Sequence, residues 1–241
     1  MAWARQAKGE RAGTGVVTTF WRFIRRWFFR LALIALVFAA LGVALFSVVN
    51  PPTTLYMAAE KARHGSLSHE WVAFDAIAPV MVRAVVAAED ANYCNHWGFD
   101  MAAIRQVIAS GDRRGASTIS QQVVKNVYLW PDRSWLRKAL EALLTPAVEL
   151  VWSKQRILEV YLNVAEFDTA VFGIEAAAQH HFGVSANALS ARQAARLAAV
   201  LPDPKGRSAT LPTPFLERRA ASILDGAETI RQDGRAACFE G

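Results

Sequence analysis

Ala88-Glu89-Asp90-Ala91-Asn92-Tyr93-Cys94-Asn95-His96-Trp97-Gly98-Phe99-Asp100 is the stretch from which the rest of the chain can be read. Before it, from Pro79, apolar residues recur at helical spacing and put Val80, Met81, Ala84, Val85 and Ala88 on one face. That face leads into two adjacent carboxylates. After them come an aromatic residue, a histidine, a glycine able to release the helix, and Asp100, placed to cap the next helix. A carboxylate at the end of a buried helix is suited to general acid or base work. The same pair also reads as two solvated charges at a helix end, and the stretch alone does not decide.

Charge is distributed unevenly around this stretch. The 241 residues carry a net charge of +6. Residues 1–30 hold Arg5, Lys8, Arg11, Arg22, Arg25, Arg26 and Arg30 against Glu10 alone, which accounts for all of it. The remainder is balanced, so composition gives no support for a nucleic-acid partner. The basic arm abuts Leu31–Val49, 19 residues without a charge, close to the roughly 20 that a helix needs to cross a bilayer core. Arginines and tryptophans crowd the N-terminal flank, which predicts a cytoplasmic N-terminus and an exported body. A cleaved signal peptide fits less well, because the N-terminal region is long and no small-x-small site follows. Pro51-Pro52 should stop the helix and open a linker. The predicted organisation is therefore a basic arm over 1–30, a transmembrane anchor over 31–49, a membrane-proximal segment over 50–76, a main domain over 77–232 and a tail over 233–241.

Between Thr53 and Pro79 the signals are mixed, with a short strand expected over His69–Phe74 and a turn over Ala76–Pro79. Beyond Pro79 the pattern predicts a mainly α body. Asp100 opens a helix to about Ser110, and a mobile basic loop follows between Gly111 and Gly115. Thr118 and Gln121 have capping-box spacing for a helix carrying Gln122, Lys125 and Asn126 on one face and ending at Pro131. Ser134 starts another helix, with Arg137, Lys138 and Glu141 within about one turn, where intrahelical pairing would also account for them. Pro146 should kink or split that helix. Ser153, Ser190 and Thr213-Pro214 mark further helix starts, with Ile157, Leu158, Tyr161 and Leu162 facing inward. There is no internal repeat, phosphate-binding glycine loop or zinc-spaced His/Cys cluster in the sequence.

Four segments together carry a family resemblance. Glu89-Asp90-x-x-Tyr93-x-x-His96-x-Gly98-x-Asp100 resembles the first signature of the peptidoglycan glycosyltransferases, and Gly115-Ala116-Ser117-Thr118-Ile119-Ser120-Gln121-Gln122-x-x-Lys125-Asn126 the second. Arg137-Lys138-x-x-Glu141 is similar to the third, and Lys154-x-x-Ile157-Leu158-Glu159-x-Tyr161-Leu162-Asn163 to the fourth. The likeness runs from about Ile77 to Pro204 and fits the members that lack a penicillin-binding domain. Tyr93 stands where the family often has Phe, and Asp168 where Gly is expected.

The resemblance implies a lysozyme-like helical glycosyltransferase domain on one transmembrane helix, polymerising a lipid-pyrophosphate-linked disaccharide into β-1,4 glycan with inversion. It implies Glu89 as general base and Glu141 as a second carboxylate, assisting the leaving group or positioning basic residues. Lys125, Arg137 and Lys138 become pyrophosphate contacts, and Ser117, Thr118, Gln122 and Asn126 hydrogen-bond donors to sugar or phosphate. No cofactor is required. A divalent cation, Mg or Mn, at the pyrophosphate is compatible with this chemistry, with no dedicated site in the sequence. The partners implied are the lipid-linked disaccharide, the growing glycan strand, the bacterial inner membrane and other cell-wall synthesis proteins. A muramidase or lytic transglycosylase would share the fold and a lone Glu without needing the cations. A non-catalytic wall scaffold would share the architecture without needing the two glutamates. Finally, an exported body favours pairing of its only cysteines, so a Cys94–Cys238 disulfide is expected to fasten the tail to the first motif.

Overall fold

The computed structural model describes residues 13–111, 117–132 and 134–240, and the chain divides into two units, Met1–Phe46 and Ser47–Gly241. The first is a single helix, α1 (Gly13–Phe46). It runs unbroken through the arginine-rich segment and the apolar stretch, because no proline interrupts residues 13–50. The expected boundary at residue 30 is therefore not a break in the backbone, and the helix ends at Phe46 rather than Val49. Its apolar part, Phe20–Phe46, spans 27 residues, about 40 Å at 1.5 Å per residue, enough to cross a bilayer core with its arginine flank in the interface. Arg5, Lys8 and Arg11 lie outside the described residues.

The second unit begins with a helix that the sequence reading left unassigned, α2 (Leu55–His64), capped by the Thr54 side chain on Met57 N–H and closed by Gly65 at φ +80°. The expected strand is only β1 (Ser68–His69). Beyond it the backbone is claimed by a side chain: Asn163 accepts from Val72 N–H at 2.8 Å and donates to Val72 C=O at 2.9 Å. The expected turn over 76–79 is a single 3-10 turn, Phe74–Ala76, leading into α3 (Pro79–Glu89). The buried face of α3 is Met81, Val82, Ala84, Val85 and Val86, with Val80 and Ala88 only half-buried.

α4 (Met101–Ser110) starts at Asp100, whose carboxylate accepts from Ala102 and Ala103 N–H. The loop expected after Gly111 lies largely outside the described residues. α5 (Ile119–Tyr128) opens on the Thr118–Gln121 capping box and ends short of Pro131. α6 (Trp135–Val151) contains Pro146 without being split, and Thr145 donates its hydroxyl to the Glu141 carbonyl at 2.7 Å one turn back. α7 (Lys154–Val164) buries Ile157, Leu158, Tyr161 and Leu162. Then come β2 (Glu166–Asp168), β3 (Val171–Phe172), α8 (Ile174–Phe182), α9 (Ala191–Val200), α10 (Pro214–Gln232) and a short α11 (Ala237–Glu240). The strands form a small sheet in the order β1-β3-β2, with β1 parallel and β2 antiparallel to β3.

Two helix groups make the body: α3 packs with α9 and α10, and α5 packs with α6 and α7. The first motif joins them. Its far side is covered by the chain's C-terminus, where Cys94 and Cys238, 144 residues apart in sequence, are bonded with Cα atoms 5.6 Å apart. Phe239 is fully buried against Tyr93, Arg83 pairs with Glu240, and Arg235 donates to the Ala91 carbonyl at 3.0 Å.

Closing so long a loop confines the unfolded chain, a stabilisation of about 2–4 kcal/mol in typical cases. Thiol titration of the denatured, unreduced protein should find no free sulfhydryl. Cys238→Ser should lower Tm by roughly 5–15 °C for a body of this size. Two reactive thiols, or an unchanged Tm, would refute the bond.

Candidate active site

Glu89 is the last residue of α3, and Asp90, its C-cap, takes the opposite course from its neighbour. The Asp90 side chain is buried. One oxygen accepts from His96 Nε2 at 2.7 Å and the other from Ile119 N–H at 3.0 Å. Ile119 is the first residue of α5, so the carboxylate neutralises unpaired donors at a helix N-terminus. The second link is Gly98, at φ +80°, whose carbonyl accepts from the Thr118 hydroxyl at 2.6 Å. A Cβ there would lie 2.4 Å from Thr145 Cγ2, so only glycine fits. Thr118, expected among the substrate donors, is thus buried and its hydroxyl is committed to Gly98 and to the cap of α5. Lys154 of the fourth motif is also structural: it bonds the His96 carbonyl and Glu149, and sits 4.3 Å above the Tyr93 ring.

With Asp90 held inward, Glu89 is left half-exposed. Gln122 Nε2 donates to Glu89 Oε2 at 3.0 Å, and Gln122 Oε1 accepts from the Tyr161 hydroxyl at 3.3 Å. Burial, reinforced by the nearby Glu89 and Asp90 carboxylates, holds the Tyr161 phenol well above its usual pKa. Tyr161 therefore stays a donor, which fixes the Gln122 amide with its NH2 toward Glu89 and leaves that carboxylate an acceptor. Glu89, Asn92, Asp100 and Ser117 line a hollow of about 270 Å³. Gln122, Lys125, Asn126, Arg137 and Tyr161 line a larger cleft of about 410 Å³. The Glu89–Gln122 hydrogen bond is where the two meet.

The cations gather on the cleft side. Glu141 is almost fully buried, and its two oxygens are occupied by Arg137 Nη1 at 3.0 Å and by Lys138 Nζ. The intrahelical pairing considered from the sequence is present, but around a buried Glu141 and Arg137, with Lys138 half-exposed at the edge. Lys138 also reaches Ser117 Oγ at 3.3 Å, and Arg137 Nε donates to the Asp132 carbonyl at 2.8 Å. Lys125 is half-buried, not the exposed lysine its spacing suggested, and makes no ion pair or hydrogen bond among the described residues. Burial pushes its ammonium pKa down; Glu141 and Glu89 pull it back, and Arg137 and Lys138 push it further down. Lys125, Arg137 and Lys138 against Glu141 and Glu89 leave a net positive charge around Lys125, the electrostatic setting an anion would occupy, while Glu166, Asp203 and Lys205 line the rest of the cleft.

The far end of the cleft holds residues that the sequence reading did not single out. Tyr56 donates to Glu166, and Lys205 bridges Glu166 Oε1 at 3.4 Å and the fully buried Glu60 at 2.6 Å. Burial pushes the Glu166 carboxyl up against the opposing pull of Tyr56 and Lys205. Tyr56 and Glu166 are 110 residues apart and Lys205 reaches Glu60 across 145, so no local pattern reveals them.

Comparison with known proteins agrees with this geometry. A family model described as transglycosylase matches residues 57–228. The chain is 55% identical over 240 residues to a biosynthetic peptidoglycan transglycosylase of Jannaschia sp. (strain CCS1), covering 98% of this chain and 99% of that protein. It is 48% identical over 218 residues to a protein of the same name from Escherichia coli O17:K52:H18 (strain UMN026 / ExPEC), covering 86% and 90% respectively.

The two kinds of charged residue should separate on thermal denaturation. Asp90→Ala strips partners from His96 and from the start of α5, and should cost about 3–5 kcal/mol, as for other broken buried pairs. Lys125→Met removes a desolvated charge that is in no ion pair among the described residues, and should be neutral or slightly stabilising. Similar losses in both variants would contradict the division drawn between them.

Proposed function

The chain belongs to the transglycosylase family, and we propose that it lengthens peptidoglycan glycan strands by transferring sugar from a lipid-pyrophosphate-linked disaccharide. The mainly helical body is of the family's lysozyme-like class. The observation that carries the reading is the pairing of a half-exposed acceptor carboxylate, Glu89, with a cationic cleft one hydrogen bond away.

In this reading the acceptor sugar hydroxyl sits against Glu89, which removes its proton as the oxygen attacks the anomeric carbon of the donor. The C–O bond to pyrophosphate breaks on the opposite face, so the anomeric configuration inverts. Negative charge then accumulates on the departing pyrophosphate, where Lys125, Arg137 and Lys138 oppose it. Arg137 and Lys138 are held in place by Glu141, which makes Glu141 a positioning residue for the cations. Lys125 makes no such pair among the described residues, and in the complex its ammonium gains a direct counter-charge from the pyrophosphate. Gln122 holds Glu89 in register, while Ser117 and Asn126 offer polar groups to the sugars.

A cation bridging the pyrophosphate finds few ligands in this part of the cleft. Glu141 is taken by two basic groups, and Glu166, which lines the cleft with Asp203, is bonded to Tyr56 and Lys205. The residues do not fit a dedicated Mg or Mn site, and no step is derived through one. The positive excess also favours transfer from a pyrophosphate over hydrolysis of an uncharged glycan, which would not need it.

We further propose that α1 anchors the body on the outer face of the cytoplasmic membrane, where a lipid-linked donor and other wall-synthesis proteins would be met. The support is the cluster Arg22, Arg25, Arg26 and Arg30, which immediately precedes the uncharged run of α1 from Leu31 to Phe46. Protease added to spheroplasts should digest the body and spare an N-terminal tag. A tag cut first would reverse the orientation.

Glu89→Gln keeps the size of the side chain and should leave Tm nearly unchanged. If general-base catalysis is lost, polymerisation should fall by roughly 10²–10⁴-fold. Near-normal turnover in a radiolabelled-donor assay would remove Glu89 from that role.

A further inference from the structure

Outside the cleft, one cluster of side chains has no part in the proposed transfer. The β2–β3 hairpin presents Asp168, the residue at which the chain departs from the resemblance, toward the C-terminal end of α8. Thr169 N–H fixes Asp168 Oδ1 at 2.6 Å, leaving Oδ2 to face two histidines. His180 Nε2 lies 3.4 Å and His181 Nε2 3.8 Å from that oxygen, and all three atoms fall within 4.8 Å of one another.

These separations exceed the roughly 2.7–2.9 Å of a charge-assisted hydrogen bond. The His180–Asp168 separation matches the edge of a tetrahedral metal site, about 3.3 Å for bonds of 2.0–2.1 Å, and the wider ones require the side chains to close onto the ion by small rotations. We propose that Asp168 Oδ2, His180 Nε2 and His181 Nε2 bind a divalent transition-metal ion, zinc by preference, with water completing the coordination.

The donor set fits that class of ion. Two imidazoles and one carboxylate suit zinc and its neighbours better than magnesium or calcium, which take oxygen ligands. His181 is buried and pre-positioned, whereas His180 and Asp168 are open enough for an ion to enter. Binding requires each imidazole to carry its proton on Nδ1, so any proton on Nε2 leaves to solvent. The bond this displaces is weak, a 3.4 Å contact between His181 Nε2 and the Phe167 carbonyl. The ion would staple the hairpin to α8. Since β2 also carries Glu166 into the cleft, the staple would brace the cleft's far end without touching the reacting groups.

The test uses the full chain in detergent, untagged and stripped of metal, titrated with zinc by calorimetry and with cobalt by visible absorption. We expect one saturable ion per chain, with a cobalt spectrum of low-coordinate nitrogen and oxygen ligation. His180→Ala at the exposed position and the isosteric Asp168→Asn should each weaken binding at least about tenfold, with unchanged circular dichroism. Absence of saturable binding would overturn the proposal. So would binding of equal affinity in both variants, which would place the ion elsewhere.

Discussion

The Asp90 carboxylate is the constraint on which the arrangement of the site depends. It accepts from His96 within its own motif and from the backbone of Ile119 at the start of α5. One side chain thereby ties the end of α3 to the beginning of the helix that carries Gln122, Lys125 and Asn126. Because Asp90 turns inward, its neighbour Glu89 must turn outward, toward Gln122. The two adjacent carboxylates perform different tasks for a geometric reason, since successive side chains at a helix terminus point in different directions. Gly98 repeats the link from the other side, through a carbonyl that accepts from the Thr118 cap of α5 at a position where Thr145 and Glu149 of α6 leave no room for a Cβ.

Electrostatics divides the molecule in a similar way. Carboxylates buried for structure each have a partner: Asp90 is bonded to His96, Glu149 to Lys154 and Glu60 to Lys205. Around the cleft the balance is looser, with Glu141 holding Arg137 and Lys138 while Lys125 makes no ion pair among the described residues and feels Glu141 and Glu89 only at longer range. Desolvating an unpaired ammonium costs free energy that folding must offset elsewhere. The tail contributes to that offset, through the Cys94–Cys238 bond and the burial of Phe239 on the far side of the first motif.

Much of this was legible in the sequence because helix starts are local chemistry. Asp100, Thr118, Ser134, Ser153, Ser190 and Thr213 each cap the helix that follows, through contacts no more than three residues long. The Thr54 cap and Gly65 stop of α2 were equally local, but a short helix with mixed polarity lacked the apolar period that draws the eye. Long-range features were harder. The strand expected over 69–74 gave way to a side chain 91 residues away, and the bond that occupies the Thr118 hydroxyl crosses 20 residues to Gly98. Tyr56, Glu166 and Lys205 carry no motif of their own and meet only in the folded cleft. Pro146 reads as a helix breaker, yet the continuous packing of α6 on α5 keeps it within one helix.

The central claim is that this site builds glycan from an activated, pyrophosphate-linked donor rather than cutting existing strands. Incubating the detergent-solubilised chain with lipid-linked disaccharide, and separately with preformed glycan, tests it most directly. The account predicts that polymer appears with release of lipid pyrophosphate in the first reaction, and that the second leaves the glycan intact. Cleavage of preformed glycan, with no polymer made from the lipid-linked donor, would contradict it.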